Sequence, residues 1–176
     1  MIHFERSFDY ELIRKIITHP RIYKHLVDDR CPPPEEYSPP QGEHIWYILV
    51  HDIYPDAGPE ELLGCWIIHP HNSICYEIHT ALLPNAWGET AHRAVRLVFE
   101  WIWEHTPCLR LITTVPYPNR LALHFAYRAG MTVYGTNHQS WLQDGKLWDQ
   151  ICLGINKPEK KPPTVLLEHQ AGATCL

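Results

Sequence analysis

The sequence has no long apolar run and no excess of basic residues. None of its hydrophobic stretches approaches the roughly 20 residues that a membrane-spanning helix needs, and Met1–Lys15 carries charges throughout instead of the apolar core of a signal peptide. The formal net charge of the 176 residues is −5, whereas a nucleic-acid backbone requires a concentrated basic surface. We therefore expect a cytoplasmic protein with no membrane partner and no nucleic acid as its main partner.

The sequence also lacks the paired cysteine and histidine spacings of common metal sites. Its six cysteines stand singly, with no Cys-x-x-Cys pair, so we interpret them as reduced thiols of a cytosolic protein. Among the thirteen histidines, His69 and His71 are two residues apart, and His79 lies near them across a predicted hairpin, but no His-Glu-x-x-His motif is present. We expect surface and partly buried histidines and no metal site.

What the chain does contain is the composition of one globular domain, 45% hydrophobic and 20% charged. Alternation predicts a first strand at Ile2–Phe8. Asp9 is a suitable N-cap for a helix over Tyr10–Thr18, and the break at Pro20 predicts a second short helix over Arg21–Val27. The proline-rich segment 30–42 that follows is predicted to be a long loop, which either walls a substrate cleft or serves as a plain connector.

The middle of the chain predicts a three-stranded meander and a fourth strand. A turn rich in proline and glycine, Asp52–Glu60, separates its first two strands. The predicted strands are His44–His51, Leu62–His69, Ser73–Leu82 and Arg110–Val115.

The remaining elements are two helices, two strands and a tail. Helical spacing predicts a helix from Gly88 or Glu89 to His105, and a second one over Arg120–Arg128 with Asn119 as N-cap and Gly130 closing it. Strands are predicted at Met131–Thr136 and Lys146–Ile155 around a polar turn at Gln143–Gly145. Residues 157–176 are charged and proline-rich, and we expect them to form a tail outside the core.

The segment Cys75–Glu100 carries the first functional signal. It predicts a strand that leads through a turn with one glycine into a helix. The first N–H groups of a helix have no internal partners, and the helix dipole favours an anion there, so this arrangement is suited to binding phosphate.

The element order β-α-α-β-β-β-α-β-α-β-β resembles the GNAT N-acetyltransferase fold. Glu77–Ala94 resembles the acetyl-CoA motif of the branch that acetylates protein N-termini, in which a strand leads through a Trp-Gly-x-Gly turn into a helix. Val115–Met131 is similar to the family's second motif, in which an asparagine opens a helix closed by glycine. Two departures stand out: Thr90 replaces the second glycine of the turn, and the basic residue common in the turn is missing.

The resemblance, which covers about residues 1–156, implies an α/β (α+β type) domain with a mixed sheet of about six or seven strands, splayed between strands 4 and 5 and flanked by about four helices. It implies acetyl-CoA as co-substrate and direct attack of a primary amine, from a small molecule or a protein, on the thioester. The implied cofactor-binding residues are Leu82, Leu83, Trp87, Gly88, Glu89, Thr90, Ala91 and Asn119.

The resemblance leaves the catalytic residues open. Glu77 and His79 share one face of the predicted strand Ser73–Leu82, so either of them can act as base for the amine proton. In many family members a tyrosine protonates the leaving thiolate, and its place is taken by Ala126 here, with Tyr127 one residue on. Tyr127 is therefore a candidate acid, and His124 is a further candidate.

The same departures from the family pattern support a second function. A protein that has lost the turn glycine, the basic residue and the tyrosine can keep the scaffold as a catalytically inactive binding or assembly protein, as in GNAT-like proteins encoded by phages. A phage protein would act in the host cytoplasm. The many tryptophans and the predicted tail also make a homodimer plausible.

Overall fold

A seven-stranded mixed sheet forms the centre of the fold in the computed structural model, which describes residues 1–53 and 60–159. Much of the predicted loop at Asp52–Glu60 and of the predicted tail lies outside these residues. The elements in chain order are β1 (Ile2–Ser7), α1 (Tyr10–Ile17), α2 (Pro20–Leu26), β2 (Trp46–Asp52), β3 (Glu61–Pro70), β4 (Cys75–Leu82), a 3₁₀ turn (Pro84–Ala86), α3 (Glu89–His105), β5 (Arg110–Pro116), α4 (Arg120–Arg128), β6 (Thr132–Gln143) and β7 (Lys146–Asn156).

The strands lie in the order β1-β2-β3-β4-β5-β7-β6. The only parallel pair among the described strands is β4 with β5, and it is short: Cys75–Glu77 pairs with Arg110–Ile112. Beyond these residues β4 continues to Leu82 and β5 to Pro116 without pairing, so the two strands splay apart. The predicted fold class and the predicted splay are both confirmed.

Two apolar layers cover the sheet. The inward residues of α3, among them Ala94, Val98 and Ile102, pack with α4 against one face. Ile13 and Ile16 of α1 pack with α2 against the other face. Because each helix buries a single apolar stripe, α3 and α4 lie on one face of the sheet and α1 and α2 on the other. The splay between β4 and β5 therefore has a helix pair on each face.

The predicted caps are in place. The Asp9 side chain accepts a hydrogen bond of 3.0 Å from the Leu12 N–H at the start of α1, and the Asn119 side chain accepts one of 3.1 Å from the Ala122 N–H at the start of α4. Gly130 follows α4 as predicted. These local signals located the helix ends to within about one residue.

A close approach between β3 and β4 requires Gly64. Its φ is +133°, and a Cβ at this position would lie 2.3 Å from the carbonyl oxygen of Ala81. Only glycine permits this contact, which places the end of β4, where it leaves the sheet, directly against β3.

The main difference from the predicted elements is β6, which runs to Gln143 instead of ending at Thr136. A bulge between Asn137 and Trp141 interrupts the alternation that marks a strand, and Gln139 has a φ of 48°. The Asp149 carboxylate of β7 holds this bulge by accepting a hydrogen bond from the Gln139 N–H. The strand therefore continues through residues 137–142, for which the sequence pattern predicts no strand.

In the described part of the chain, no helix is long and apolar enough to cross a membrane. The five cysteines within residues 1–53 and 60–159 are all free thiols.

Candidate functional site

A cleft of about 350 Å³ opens at the splay between β4 and β5. Residues of α2, α3 and α4 complete its walls. Seven of the predicted candidate residues line it: His79, Leu82, Trp87, Gly88, Ala91, Asn119 and His124. The cleft therefore brings together residues from both of the sequence motifs.

One wall of the cleft is the free edge of β4. The Leu83 N–H donates to the Leu63 carbonyl of β3 at 2.8 Å. Since backbone groups alternate along a strand, those of Thr80 and Leu82 face the opposite way, toward the splay. The Leu82 carbonyl accepts a hydrogen bond of 2.8 Å from the indole N–H of Trp87 and retains a second lone pair.

The N-terminus of α3 lies at the end of this edge. Gly88 occupies the N-cap position with a φ of 92° and has no side chain to cap the first turn. This backbone conformation favours glycine, and no heavy atom lies within 4 Å of where a Cβ would be. The first N–H groups of α3 are thus positioned to meet an anion in the space beside Gly88.

Cationic side chains from other elements surround this turn. The Arg21 guanidinium of α2 lies 4.5 Å from the centre of the Trp87 ring, beside Gly88. Arg128 of α4 is 3.4 Å from the exposed Glu89 carboxylate at the start of α3. The turn itself has no basic residue, but the fold supplies basic groups from distant parts of the chain. Sequence reasoning missed Arg21, because no motif marks it.

His92, in the first turns of α3, adds to this cluster. Its ring packs 5.3 Å from that of Phe125 and lines the cleft. Burial lowers its pKa, and the neighbouring Arg128 lowers it further. Its Nδ1 is buried and makes no hydrogen bond with the described residues.

Glu77 and His79 meet a third side chain, His69, at the other end of the splay. Glu77 is directly opposite His69 in the β3–β4 register. The His69 and His79 Nε2 atoms are 3.3 Å apart, and the Glu77 carboxylate oxygens lie 3.9 Å from His69 and 3.8 Å from His79. Thr114 of β5 donates to Glu77 at 3.1 Å. Burial lowers the pKa of His79, and the Glu77 charge opposes this effect.

Several predicted site residues do not line the cleft among the described residues: Glu77, Leu83, Glu89, Thr90 and Tyr127. Glu77 lies directly behind His79, as its distance shows. The Tyr127 side chain is half exposed on the outside of α4, whereas Ala126 and His124 face the cleft. The structure therefore does not bring Tyr127 together with Glu77 and His79, because one residue of helix turns its side chain by about 100°.

The loop over residues 30–42 contributes no residue to the lining of the cleft in the described part of the chain. It is held on the side of α1 and α2, where the Tyr47 hydroxyl donates to the Pro40 carbonyl at 2.8 Å. Just before it, the Asp29 carboxylate accepts N–H bonds of 3.1 and 2.7 Å from Asp144 and Gly145. The turn between β6 and β7 is thereby tied to the segment that leads into the loop.

Several solved structures of acetyltransferases share this architecture. Spermidine N-acetyltransferase from Vibrio cholerae, in complex with CoA and spermine, superposes with a TM-score of 0.71 at 13% identity, over 88% of this chain and 95% of the other. Ribosomal-protein-S5-alanine acetyltransferase from Vibrio fischeri has a TM-score of 0.65 at 14% identity, over 92% and 94%. A structure described as a phosphinothricin N-acetyltransferase has a TM-score of 0.66 at 15% identity, over 90% and 100%.

No protein-family model and no curated protein matches the sequence. The structural likeness extends over nearly the whole of these proteins and over most of the chain. The chain therefore has the fold of the GNAT N-acetyltransferases.

Proposed function

We propose that this protein transfers the acetyl group of acetyl-CoA to a primary amine. The observation that carries the proposal is the cleft in which the free edge of β4 meets the open N-terminus of α3 beside Gly88. An extended, amide-containing chain that ends in a pyrophosphate matches both features, and acetyl-CoA is such a molecule. The CoA complex of the Vibrio cholerae enzyme, which shares this fold, supports the same conclusion.

In this proposal the cofactor lies along β4. The pantetheine amides pair with the backbone of Thr80 and Leu82, as a neighbouring strand would. The pyrophosphate accepts hydrogen bonds from the N–H groups of 88–91. Arg21 supplies the positive charge that the turn lacks, because its exposed guanidinium already lies over Trp87.

The chemistry takes place where β4 and β5 separate. The amine nitrogen forms a bond to the acetyl carbon, the carbon–sulfur bond breaks, and CoA leaves as a thiolate. His79 accepts the proton from the amine, and Glu77 behind it stabilises the resulting charge. Backbone N–H groups at the splay polarise the acetyl carbonyl. No tyrosine among the described residues lines the cleft, so in this proposal the thiolate takes its proton from solvent.

The acceptor is an amine of a small molecule or of a protein. The three structural neighbours are named for spermidine, for an alanine of ribosomal protein S5 and for phosphinothricin. Glu77 provides a carboxylate near the reacting position, which favours an acceptor that arrives as a cation. Four further features stay predictions: the cytoplasmic location, the phage origin, the homodimer and the domain boundary at residue 156.

The first experiment measures binding of acetyl-CoA by isothermal titration calorimetry, with desulfo-CoA and adenosine 3′,5′-bisphosphate as partial ligands. Release of CoA thiol is then followed with a panel of polyamines, amino acids and peptides with free N-termini. Binding together with amine-dependent thiol release supports the proposal. Binding without turnover on any amine would favour the inactive binding or assembly protein, and no binding at millimolar acetyl-CoA would overturn the proposal.

A further inference from the structure

We propose that His69, Glu77 and His79 bind a divalent transition-metal ion of the Zn²⁺ class. The three residues come from neighbouring strands: His69 is opposite Glu77 in the β3–β4 register, and His79 is two residues further along β4. Because side chains alternate across a strand, all three project from the same face of the sheet. They form the cluster in the described part of the chain whose ligand atoms all lie within 4.8 Å of one another.

The spacing of the ligand atoms fits one small ion. In a tetrahedral zinc site with bonds of about 2.0–2.1 Å, neighbouring ligand atoms are about 3.3–3.4 Å apart. The two histidine Nε2 atoms are 3.3 Å apart. The Glu77 oxygens lie 3.9 and 3.8 Å from these nitrogens, so a small rotation of the carboxylate brings all three atoms to ligand distance.

The donor set also matches a metal with an open coordination position. Two imidazoles and one carboxylate are ligands that zinc takes in sites where the fourth position holds water or substrate. The side chains are partly exposed, at 37% for His69, 18% for Glu77 and 33% for His79, so an ion has a path from solvent. Thr114 donates a hydrogen bond to Glu77 from β5 and so supports the carboxylate next to the two histidines, as hydrogen bonds to metal ligands commonly do.

The same geometry has a metal-free interpretation. Without an ion, one imidazole N–H donates to the nitrogen of the other, and this hydrogen bond alone can hold the two rings together. The two interpretations differ in the role of Glu77. The hydrogen bond involves only His69 and His79, whereas the metal site also needs the Glu77 carboxylate.

Metal occupancy has a consequence for catalysis that rests on the proposed function. His79 faces the cleft, and a metal bound to its Nε2 removes the lone pair that would accept the proton of the amine. Zn²⁺ is therefore expected to inhibit acetyl transfer without preventing acetyl-CoA from binding at the N-terminus of α3. Metal binding itself does not depend on the acetyltransferase proposal.

The experiment titrates Zn²⁺ and Co²⁺ into full-length protein that carries no histidine tag and has been treated with a chelator. Calorimetry gives the affinity, and the visible spectrum of Co²⁺ reports four-coordinate geometry. Thr114→Val removes only a hydrogen bond to a ligand and is expected to weaken Zn²⁺ binding by roughly 10–100-fold. Removal of a ligand itself, in His69→Ala, Glu77→Gln or His79→Ala, is expected to weaken it by at least as much. His71→Ala is the matched control, since His71 is exposed in the turn next to β3.

Saturable 1:1 binding, lost in the three ligand variants and kept in His71→Ala, supports the site. Wild-type Zn²⁺ affinity in any one of His69→Ala, Glu77→Gln and His79→Ala would overturn it, and so would equal loss in the control. If a variant fails to fold, X-ray absorption spectroscopy of the wild-type protein with Zn²⁺ identifies the groups bound to the metal. A zinc ion without two imidazole ligands would also overturn the proposal. Gly88→Glu separates the two proposals, because it is expected to lose acetyl-CoA and to keep Zn²⁺.

Discussion

The indole N–H of Trp87 donates a hydrogen bond of 2.8 Å to the main-chain carbonyl of Leu82. Leu82 is the last residue of β4, and Trp87 immediately precedes Gly88, the N-cap of α3. This bond therefore closes the short turn between the strand and the helix and fixes the distance between the two parts of the proposed cofactor site.

Replacing Trp87 with phenylalanine should lower the free energy of unfolding. The aromatic ring remains, but the hydrogen bond to Leu82 is lost, which costs about 0.5–1.5 kcal/mol. Urea denaturation followed by circular dichroism measures the change. Trp141→Phe is the control, since its indole nitrogen has no hydrogen-bond partner among the described residues. Equal losses in the two variants would show that the hydrogen bond contributes nothing.

Substitutions of Gly88 should separate backbone strain from charge. The φ of 92° makes any side chain unfavourable by about 1–3 kcal/mol, so Gly88→Ala should be less stable and bind acetyl-CoA more weakly. Gly88→Glu adds a carboxylate where the pyrophosphate is proposed to lie and should abolish measurable binding. Calorimetry with both variants measures the difference. Equal affinities for the two would mean that the phosphates bind elsewhere.

Removing the charge of Arg21 should weaken acetyl-CoA binding. The loss of one charge-assisted hydrogen bond costs about 1.5–3 kcal/mol, which corresponds to about ten- to a hundredfold in affinity. Arg21→Gln tests this by calorimetry at two salt concentrations, and the effect should shrink at the higher one. Lys24→Gln removes a charge from the same helix at an exposed position and serves as control. A similar loss in both variants would indicate a general effect of charge.

Glu77 and Tyr127 should differ in their effect on turnover. Glu77→Gln keeps the shape of the side chain but removes the charge behind His79, and kcat should fall by about 10²–10⁴-fold if the pair accepts the amine proton. Tyr127→Phe should leave kcat unchanged, because the ring is half exposed and outside the cleft. Steady-state kinetics with the preferred amine measures both. A large loss in Tyr127→Phe would restore tyrosine as the acid.

The stability of the protein should decrease at mildly acidic pH, in part because of His92. Burial lowers its pKa below the ordinary 6.5, Arg128, His124 and Arg96 act in the same direction, and Glu89 opposes them. A lowered pKa in the folded state means that His92 binds a proton more readily in the unfolded chain. The stability contributed by neutral His92 is therefore fully present above pH 6.5 and is lost as the pH falls through the pKa of the folded state.

His92→Gln should accordingly lose less stability than the wild type between neutral and acidic pH. Urea denaturation at pH 7.5 and at pH 5 gives the comparison, with His71→Gln as the control at an exposed position. An unchanged pH dependence in His92→Gln would assign the effect to other groups.

The sequence predicted most of the secondary structure because its signals are local. Asp9 and Asn119 cap their helices through backbone groups only three residues away. Such signals depend only on residues that are close in sequence, so they can be recognised without knowledge of the fold. The prediction was wrong at the end of β6, where the Asp149 carboxylate of another strand holds the bulge at Gln139.

Local signals also located half of the candidate site. The pattern of strand, turn and helix around Gly88 indicated an anion-binding turn, and the structure gives Gly88 the positive φ that such a turn uses. The resemblance to the family suggested Tyr127, which lies outside the cleft. A match of residue type at neighbouring positions does not determine direction, because each step along a helix rotates the side chain by about 100°.

By itself, the sequence determined the order of the elements, the splayed-sheet fold class and the position of the turn at Gly88. Only the tertiary structure decided which distant residues meet: Arg21 over Trp87, and His69 beside His79 and Glu77. The physical reason is that hydrophobic periodicity and helix caps depend on residues a few positions apart, whereas strand register and helix packing depend on burial of the whole core. Contacts between residues far apart in sequence follow from that burial. Both the position of Arg21 beside the proposed cofactor site and the proposed metal site are contacts of this kind.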